Sequence, residues 1–130
     1  MILGSGIDMV DIRRIEKLLE KSGKRFLART FTVKEQATCD AREQRASAYA
    51  KRFAAKEAVA KALGSGIGKD ALFIDIELLN DKRGAPKITL HGKALARLKS
   101  LTPKGMKAAI HVSLTDEYPL AQAQVIIEAL

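Results

Sequence analysis

Tryptophan is absent from this 130-residue sequence, and aromatic residues make up only 5% of it. A core built on large rings is therefore excluded, and alanine, leucine, isoleucine and valine must fill it. Cys39 is the only cysteine. That rules out an intrachain disulfide and a cysteine zinc cluster, and it fits a reducing compartment. No apolar run approaches the roughly 20 residues that a bilayer-spanning helix needs. The first residues lack a basic stretch leading into a long apolar one, and Asp8 falls early, so no signal peptide is expected. There is no Gly-x-Ser-x-Gly, no His-Glu-x-x-His and no Cys/His metal pattern. Internal repeats, low-complexity runs and linkers are missing too, and residues 1–130 are expected to form one domain. Acidic residues are also in short supply: 15 against 23 Lys and Arg, for a net charge of +8. Such a balance suits an acidic partner, whether nucleic acid, an anionic surface, a phosphate-rich ligand or an acidic protein.

What is present is organised around residues 52–68. Ala54, Ala55, Ala58, Val59, Ala62 and Leu63 form an apolar stripe at helical period. Nothing breaks the helix before Gly64, where it should stop. At the edge of the stripe Phe53, Glu57 and Lys61 follow at i, i+4 spacing, so a carboxylate and an ammonium share one face. On helix statistics alone such a pair is a surface ion pair worth a few tenths of a kcal/mol. It becomes a metal carboxylate beside a phosphate-binding lysine if a second carboxylate joins it from elsewhere.

The N-terminal stretch supplies one. Met1 to Ile12 reads as a strand with Asp8 inside an apolar setting, where a carboxylate is costly unless paired or bound to a cation. An exposed edge position would equally accommodate it. Two carboxylates with open positions for water and phosphate oxygens suit Mg²⁺. Asp11 directly precedes a helical run and reads as its cap. That helix, Arg13 to Ser22, is expected to end at Gly23. From Arg13 to Arg29 there are seven basic side chains against two acidic ones, Glu16 and Glu20. A solvated face is one reading. The concentration of charge favours a docking surface for an acidic helix or for phosphates.

Thr32 to Glu35 has the form of a capping box and opens a second short helix to about Ala41. Arg42 to Ala48 leads into the central helix. Leu72 to Leu79 and Pro86 to His91 read as a hairpin around the turn at 80–84. Gly92 to Leu101 is a helix that Pro103 and Gly105 end. Lys107 to Thr115 and Leu120 to Ala129 are two further strands. Ile110, Val112 and Leu114 lie on one face of the first, with His111, Ser113 and Thr115 on the other. Helices and strands without regular alternation indicate an α+β fold.

Gly64-Ser65-Gly66-Ile67-Gly68-Lys69 invites comparison with a nucleotide loop. Such loops follow a strand and open a helix, whereas these glycines close one. A helix C-cap and turn is the plainer reading, though glycines beside Lys61 would let phosphates approach backbone N–H groups. Phe26, Phe31, Tyr49 and Phe53 do not make the interleaved pattern that stacks single-stranded nucleic acid.

Two spaced motifs together carry a resemblance that composition and periodicity do not. Gly6-Ile7-Asp8-Met9-Val10-Asp11-Ile12, followed by Arg52-Phe53-Ala54-Ala55-Lys56-Glu57-Ala58-Val59-Ala60-Lys61-Ala62 and the glycine loop, resembles the single-domain 4'-phosphopantetheinyl transferases, the holo-[acyl-carrier-protein] synthase type. The likeness runs on through Ile76-Glu77, the Asn80 to Pro86 turn and His111-Val112-Ser113, and so covers nearly the whole chain. It implies transfer of 4'-phosphopantetheine from coenzyme A to a serine of apo acyl carrier protein, in the cytoplasm, within fatty acid biosynthesis. It implies a mainly antiparallel sheet with one long central helix, assembled as a homotrimer with active sites between subunits. Carried over residue by residue, Asp8 and Glu57 match the Mg²⁺ ligands and Lys61 the lysine at the pyrophosphate. Arg52, Gly64, Gly66, His111 and Ser113 fall at cofactor-binding positions, and Arg13, Arg14, Lys17 and Lys21 where the acidic carrier docks. Leu114-Thr115-Asp116 stands where many members have a second histidine.

For the proton of the attacking serine, three acceptors are open: Glu57, Glu35 through a water, or a metal-bound hydroxide. Two rival functions are weighed against this one. A transferase serving polyketide or peptide synthase carriers would share all of these residues. A non-enzymatic nucleic-acid-binding module would explain the +8 charge, but not carboxylates at Asp8 and Glu57 within a positive field.

Overall fold

The computed structural model describes residues 1–130. Its elements run β1 (Ile2–Asp11), α1 (Ile12–Thr30), α2 (Val33–Asp40), α3 (Arg45–Ala62), β2 (Ile76–Asn80), β3 (Pro86–Leu90), α4 (Gly92–Leu101), β4 (Ala108–Glu117) and β5 (Leu120–Ala129). A single 3-10 turn, Phe73–Asp75, precedes β2. β1, β5 and β4 form an antiparallel sheet in that order, and β2 with β3 forms a separate hairpin. The α+β expectation holds.

α3 is the centre of the molecule. β1 and β5 lie along one side of it, α1 along a second, and α2 with β2 along a third. It is therefore buried on almost every face, where the alanine stripe alone suggested one. The small side chains let the sheet come very close. A Cβ added at Gly6 would fall 2.0 Å from the Ala58 carbonyl oxygen, and one at Gly4 1.9 Å from that of Ala62. The backbone of β1 thus rests directly on α3, which places Asp8 beside Lys61.

Several expected boundaries move, among them the end of β4, which runs on from Thr115 to Glu117. α1 does not end at Gly23. It bends at Ser22 (φ −129°, ψ 32°) and continues to Thr30, because Leu27 and Thr30 are drawn into the core. α3 reaches back to Arg45. The segment before β2 winds into the 3-10 turn instead of extending from Leu72. The caps stand as expected. Asp11 accepts from the Arg13 amide at 2.9 Å. Thr32 Oγ1 accepts from the Glu35 amide at 3.2 Å, while the Thr32 amide donates to Glu35 Oε1 at 2.9 Å.

Five of the six aromatic rings are gathered in one place; Tyr118 is exposed and lies apart. Phe26 meets Phe31 edge-on at 5.7 Å, Phe31 lies 4.8 Å from Tyr49, and Phe53 stacks on Phe73 at 5.2 Å. Behind them lies a buried polar network. Lys56, fully enclosed, donates to Glu35 Oε1 at 2.7 Å, to the Phe73 carbonyl at 2.9 Å and to the Ile76 carbonyl. Glu35 also accepts from the Leu78 amide at 2.9 Å. Burial draws the Lys56 ammonium below the ordinary lysine range, against the pull of Glu35.

Glu77 extends this network toward the surface. The Thr32 hydroxyl donates to its Oε2 at 2.6 Å, and His91 Nε2 lies 3.3 Å from its Oε1. Burial alone would raise the Glu77 carboxyl, but the Thr32 and His91 bonds outweigh it and hold the group below its ordinary value. A carboxyl depressed on folding stabilises above its unfolded pKa of 4.5 and loses that contribution as pH falls through the lower folded value. Glu77→Gln should therefore destabilise the protein by about 1.5–3 kcal/mol at neutral pH, with the gap from the parent narrowing on acidification. Urea unfolding at a series of pH values checks this; a constant gap down to about pH 3 would contradict it.

Candidate functional site

Asp8 on β1 and Glu57 and Lys61 on α3 come together as the spacing of the two motifs implied. Lys61 Nζ donates to Asp8 Oδ1 at 3.1 Å and to the Ile7 carbonyl at 2.9 Å. Glu57 is half-buried next to them. Burial first, and then the charge of Asp8, raise the Glu57 carboxyl above its ordinary value; Lys61 and Arg14 act in the opposite sense. Two mutually repelling carboxylates, only partly offset by one exposed lysine, are a hard-oxygen donor set suited to a divalent cation. With water and substrate phosphate filling the remaining positions, the pair fits Mg²⁺.

Glu57 also lines a cleft of about 630 Å³ between α1 and α3. Leu18, Phe26, Phe53, Ile67 and Phe73 supply apolar wall, and Arg14, Arg25 and Arg29 supply charge. The Arg14 guanidinium lies 5.5 Å from the centre of the Phe53 ring. A second, shallower groove along the outside of α1 is lined by Arg13, Arg14, Lys17 and Lys21, the four residues expected to dock a carrier. Arg14 is common to both. Arg13 is tied to Asp11 by bonds of 2.9 and 2.6 Å, which hold the Asp11 carboxyl down to about 2. Arg25 and Arg29 belong to the basic run read from the sequence as a docking surface, but they are not singled out there as site residues. With α1 stopped at Gly23 they had no helix to sit on; the basic run through Arg29 was the available signal.

The remaining site residues lie apart from this cluster. Arg52 is 3% exposed, faces the hairpin side of α3 and donates to Asn80 Oδ1 at 2.9 Å and to the Ala48 carbonyl. Its Nε has no partner. No carboxylate pairs with it, so this buried guanidinium is left incompletely satisfied. His111 and Ser113 are exposed on β4, across β5 from β1, on the sheet face turned away from α3. His111 Nε2 lies 2.8 Å from Glu128 Oε1. Asp116, at the position of the missing second histidine, pairs with Lys51 Nζ at 3.2 Å.

Two expectations are corrected. Gly64 and Gly66 adopt the positive φ of a helix C-cap (75° and 65°), and their amides do not await a phosphate. Gly64 donates to the Lys61 carbonyl, Ser65 and Gly66 both donate to that of Ala60, and Gly68 to that of Ala71. Glu35 is not available as a base through water. It is fully buried, and Thr32, Lys56 and Leu78 already donate to its carboxylate. The Cys39 thiol is likewise excluded from the chemistry, since burial pushes it up to about 11.

Paired carboxylates beside a lysine, with a basic-walled cleft next to Glu57, suit an enzyme that acts on a phosphate-bearing substrate. Residues 4–123 match the 4'-phosphopantetheinyl transferase superfamily, and the chain belongs to that superfamily. A holo-[acyl-carrier-protein] synthase of Mesorhizobium japonicum is 55% identical over 130 residues, which cover all of this chain and 95% of that protein. Among solved structures, the holo-[acyl-carrier-protein] synthase of Neisseria meningitidis superposes with a TM-score of 0.86 at 34% identity, covering 98% of this chain and 99% of that one. The Helicobacter pylori synthase, crystallised in complex with coenzyme A, gives a TM-score of 0.82 at 32% identity over 95% and 99%.

Proposed function

We infer that this chain transfers the 4'-phosphopantetheine group of coenzyme A to a serine hydroxyl of apo acyl carrier protein, releasing adenosine 3',5'-bisphosphate. It does so as one domain over residues 1–130, in the cytoplasm, in the service of fatty acid biosynthesis. The observation that carries this reading is the meeting of Asp8 and Lys61 beside Glu57, which itself lines a cleft with apolar and basic walls, in a chain so similar along its whole length to a holo-[acyl-carrier-protein] synthase.

Asp8 and Glu57 would hold Mg²⁺, which when bound polarises the phosphorus under attack and stabilises charge on the leaving phosphate. Lys61, held at the Ile7 carbonyl, adds positive charge where the pyrophosphate must lie. Glu57 is the one acidic side chain that lines the cleft. With Glu35 excluded, Glu57 is the side chain placed to take the serine proton. The α1 grooves steer the acidic carrier and orient its serine toward Glu57.

The finer features follow the same reading. Arg52, with its unpartnered Nε, is assigned to an anionic group of coenzyme A. The outer face of the β1–β5–β4 sheet carries Ile7 and Met9 at 54% and 60% exposure, beside His111 and Ser113. Covering that face with neighbouring copies in a homotrimer buries the apolar pair. It also lets His111 and Ser113 of one copy serve the site of another, since within one chain they lie on the face opposite Glu57.

The test is intact mass spectrometry of a fatty-acid apo carrier incubated with this chain, coenzyme A and Mg²⁺. A gain of one phosphopantetheine, abolished by EDTA, is the expected result. Gain on polyketide or peptide synthase carriers alone would move the reading to that service. No gain on any carrier by a folded protein would overturn it.

A further inference from the structure

Lys56 stands next to Glu57 in sequence but points the other way, into the core. Nothing in the proposed chemistry uses it. A fully buried ammonium is costly, and a buried ion pair is seldom the most stable way to fill its space. Two of its three acceptors, however, are backbone carbonyls at the two ends of one short segment, Phe73 and Ile76. That segment is the 3-10 turn together with Ile76, which follows it as the first residue of β2; Phe73, the turn's first residue, stacks at 5.2 Å on Phe53 and forms part of the wall of the Glu57 cleft. Glu35, the third acceptor, ties the same ammonium to α2 and, through the Leu78 amide, to β2. A lone apolar side chain at position 56 would fill the volume without fixing either carbonyl, because dispersion contacts are not directional.

We propose that Lys56 is a positioning residue: it pins the 3-10 turn to α3 and so sets the Phe53–Phe73 wall against which the carrier protein seats beside Glu57. This rests on the transferase reading above. The cleft suits that occupant, having an apolar interior flanked by three arginines, the arrangement of an interface centre for an acidic partner. Lys56 touches neither substrate. Its effect should therefore appear in the use of the carrier and not in the use of coenzyme A.

The experiment is steady-state kinetics with each substrate varied separately, on Lys56→Met and on Lys56→Gln, which keeps a donor for one carbonyl. Circular dichroism establishes that each variant is folded. The expected result is a KM for the carrier raised about tenfold in Lys56→Met and less in Lys56→Gln, equivalent to about 1.4 kcal/mol or less. KM for coenzyme A should stay within about twofold. Phe73→Ala should reproduce the effect. Adding it to Lys56→Met should change little more, since residues that act through one contact are not additive. Equal rises in both KM values, additive losses, or failure of both Lys56 variants to fold would assign Lys56 to stability alone and overturn the proposal. Absence of any transfer by the parent chain would instead defeat the transferase reading.

Discussion

Asp8→Asn is expected to lower turnover by about a thousandfold while leaving thermal stability unchanged or slightly raised. The two directions have one cause. In the folded chain the Asp8 charge is among the influences that raise the Glu57 carboxyl. Its own bond partner, Lys61, is half-exposed, so although the Asp8 carboxyl is only 18% exposed, solvent reaches the pair and it contributes little to stability. Removing the Asp8 charge relieves a repulsion and breaks a weak pair, so folding has little to lose. The function has much to lose, because one of the two carboxylates proposed to hold the cation is gone. Turnover measured by carrier mass gain, together with thermal melts by circular dichroism, checks both halves. Activity within about tenfold of the parent would remove Asp8 from the cation site. A loss of stability would show that Asp8 has a structural task instead.

Gly6→Ala carries the largest expected effect on the fold, a destabilisation of about 3 kcal/mol or more. The added methyl would lie 2.0 Å from the Ala58 carbonyl oxygen and 2.9 Å from the Ala62 amide nitrogen. Both are backbone atoms of α3, so no side chain can rotate out of the way. β1 must lift from the helix, and it carries Asp8 two residues further along. Any Gly6→Ala protein that folds should therefore also transfer poorly. Ser5→Ala, on the exposed side of β1, is the control and should be close to neutral. Urea unfolding of the two variants decides it; equal stability would mean that β1 and α3 do not meet as closely as the structure has them.

Much of this molecule was legible in the order of its residues because the signals are local. The helical stripe of α3, the Asp11 cap, the Thr32–Glu35 box and the alternation along β4 each depend on neighbours within a few positions. The two spaced motifs likewise pointed to Asp8, Glu57 and Lys61, and the structure unites them. The glycine loop shows the limit of such reading. The plainer reading, a C-cap and turn, holds, but the alternative of amides open to a phosphate does not, because carbonyls at the end of α3 take those of Gly64, Ser65 and Gly66.

Tertiary structure decided the rest. Gly23 is a reasonable stop for a short helix, but burial of Leu27 and Thr30 outweighs its weak helix propensity and carries α1 onward, bringing Arg25 and Arg29 to the cleft. Glu35 reads as a cap and as a possible base. Only the arrival of Lys56, 21 positions away, and Leu78, 43 positions away, shows it enclosed and fully engaged. The same holds for the aromatic rings, scattered from Phe26 to Phe73 in the chain and collected beneath α1 in space. Propensity, capping and periodicity are properties of short stretches, so the sequence by itself determines them. Which distant side chains share a buried space depends on how those stretches pack, and a carboxylate becomes a ligand or a strut only once its neighbours from elsewhere in the chain are in place.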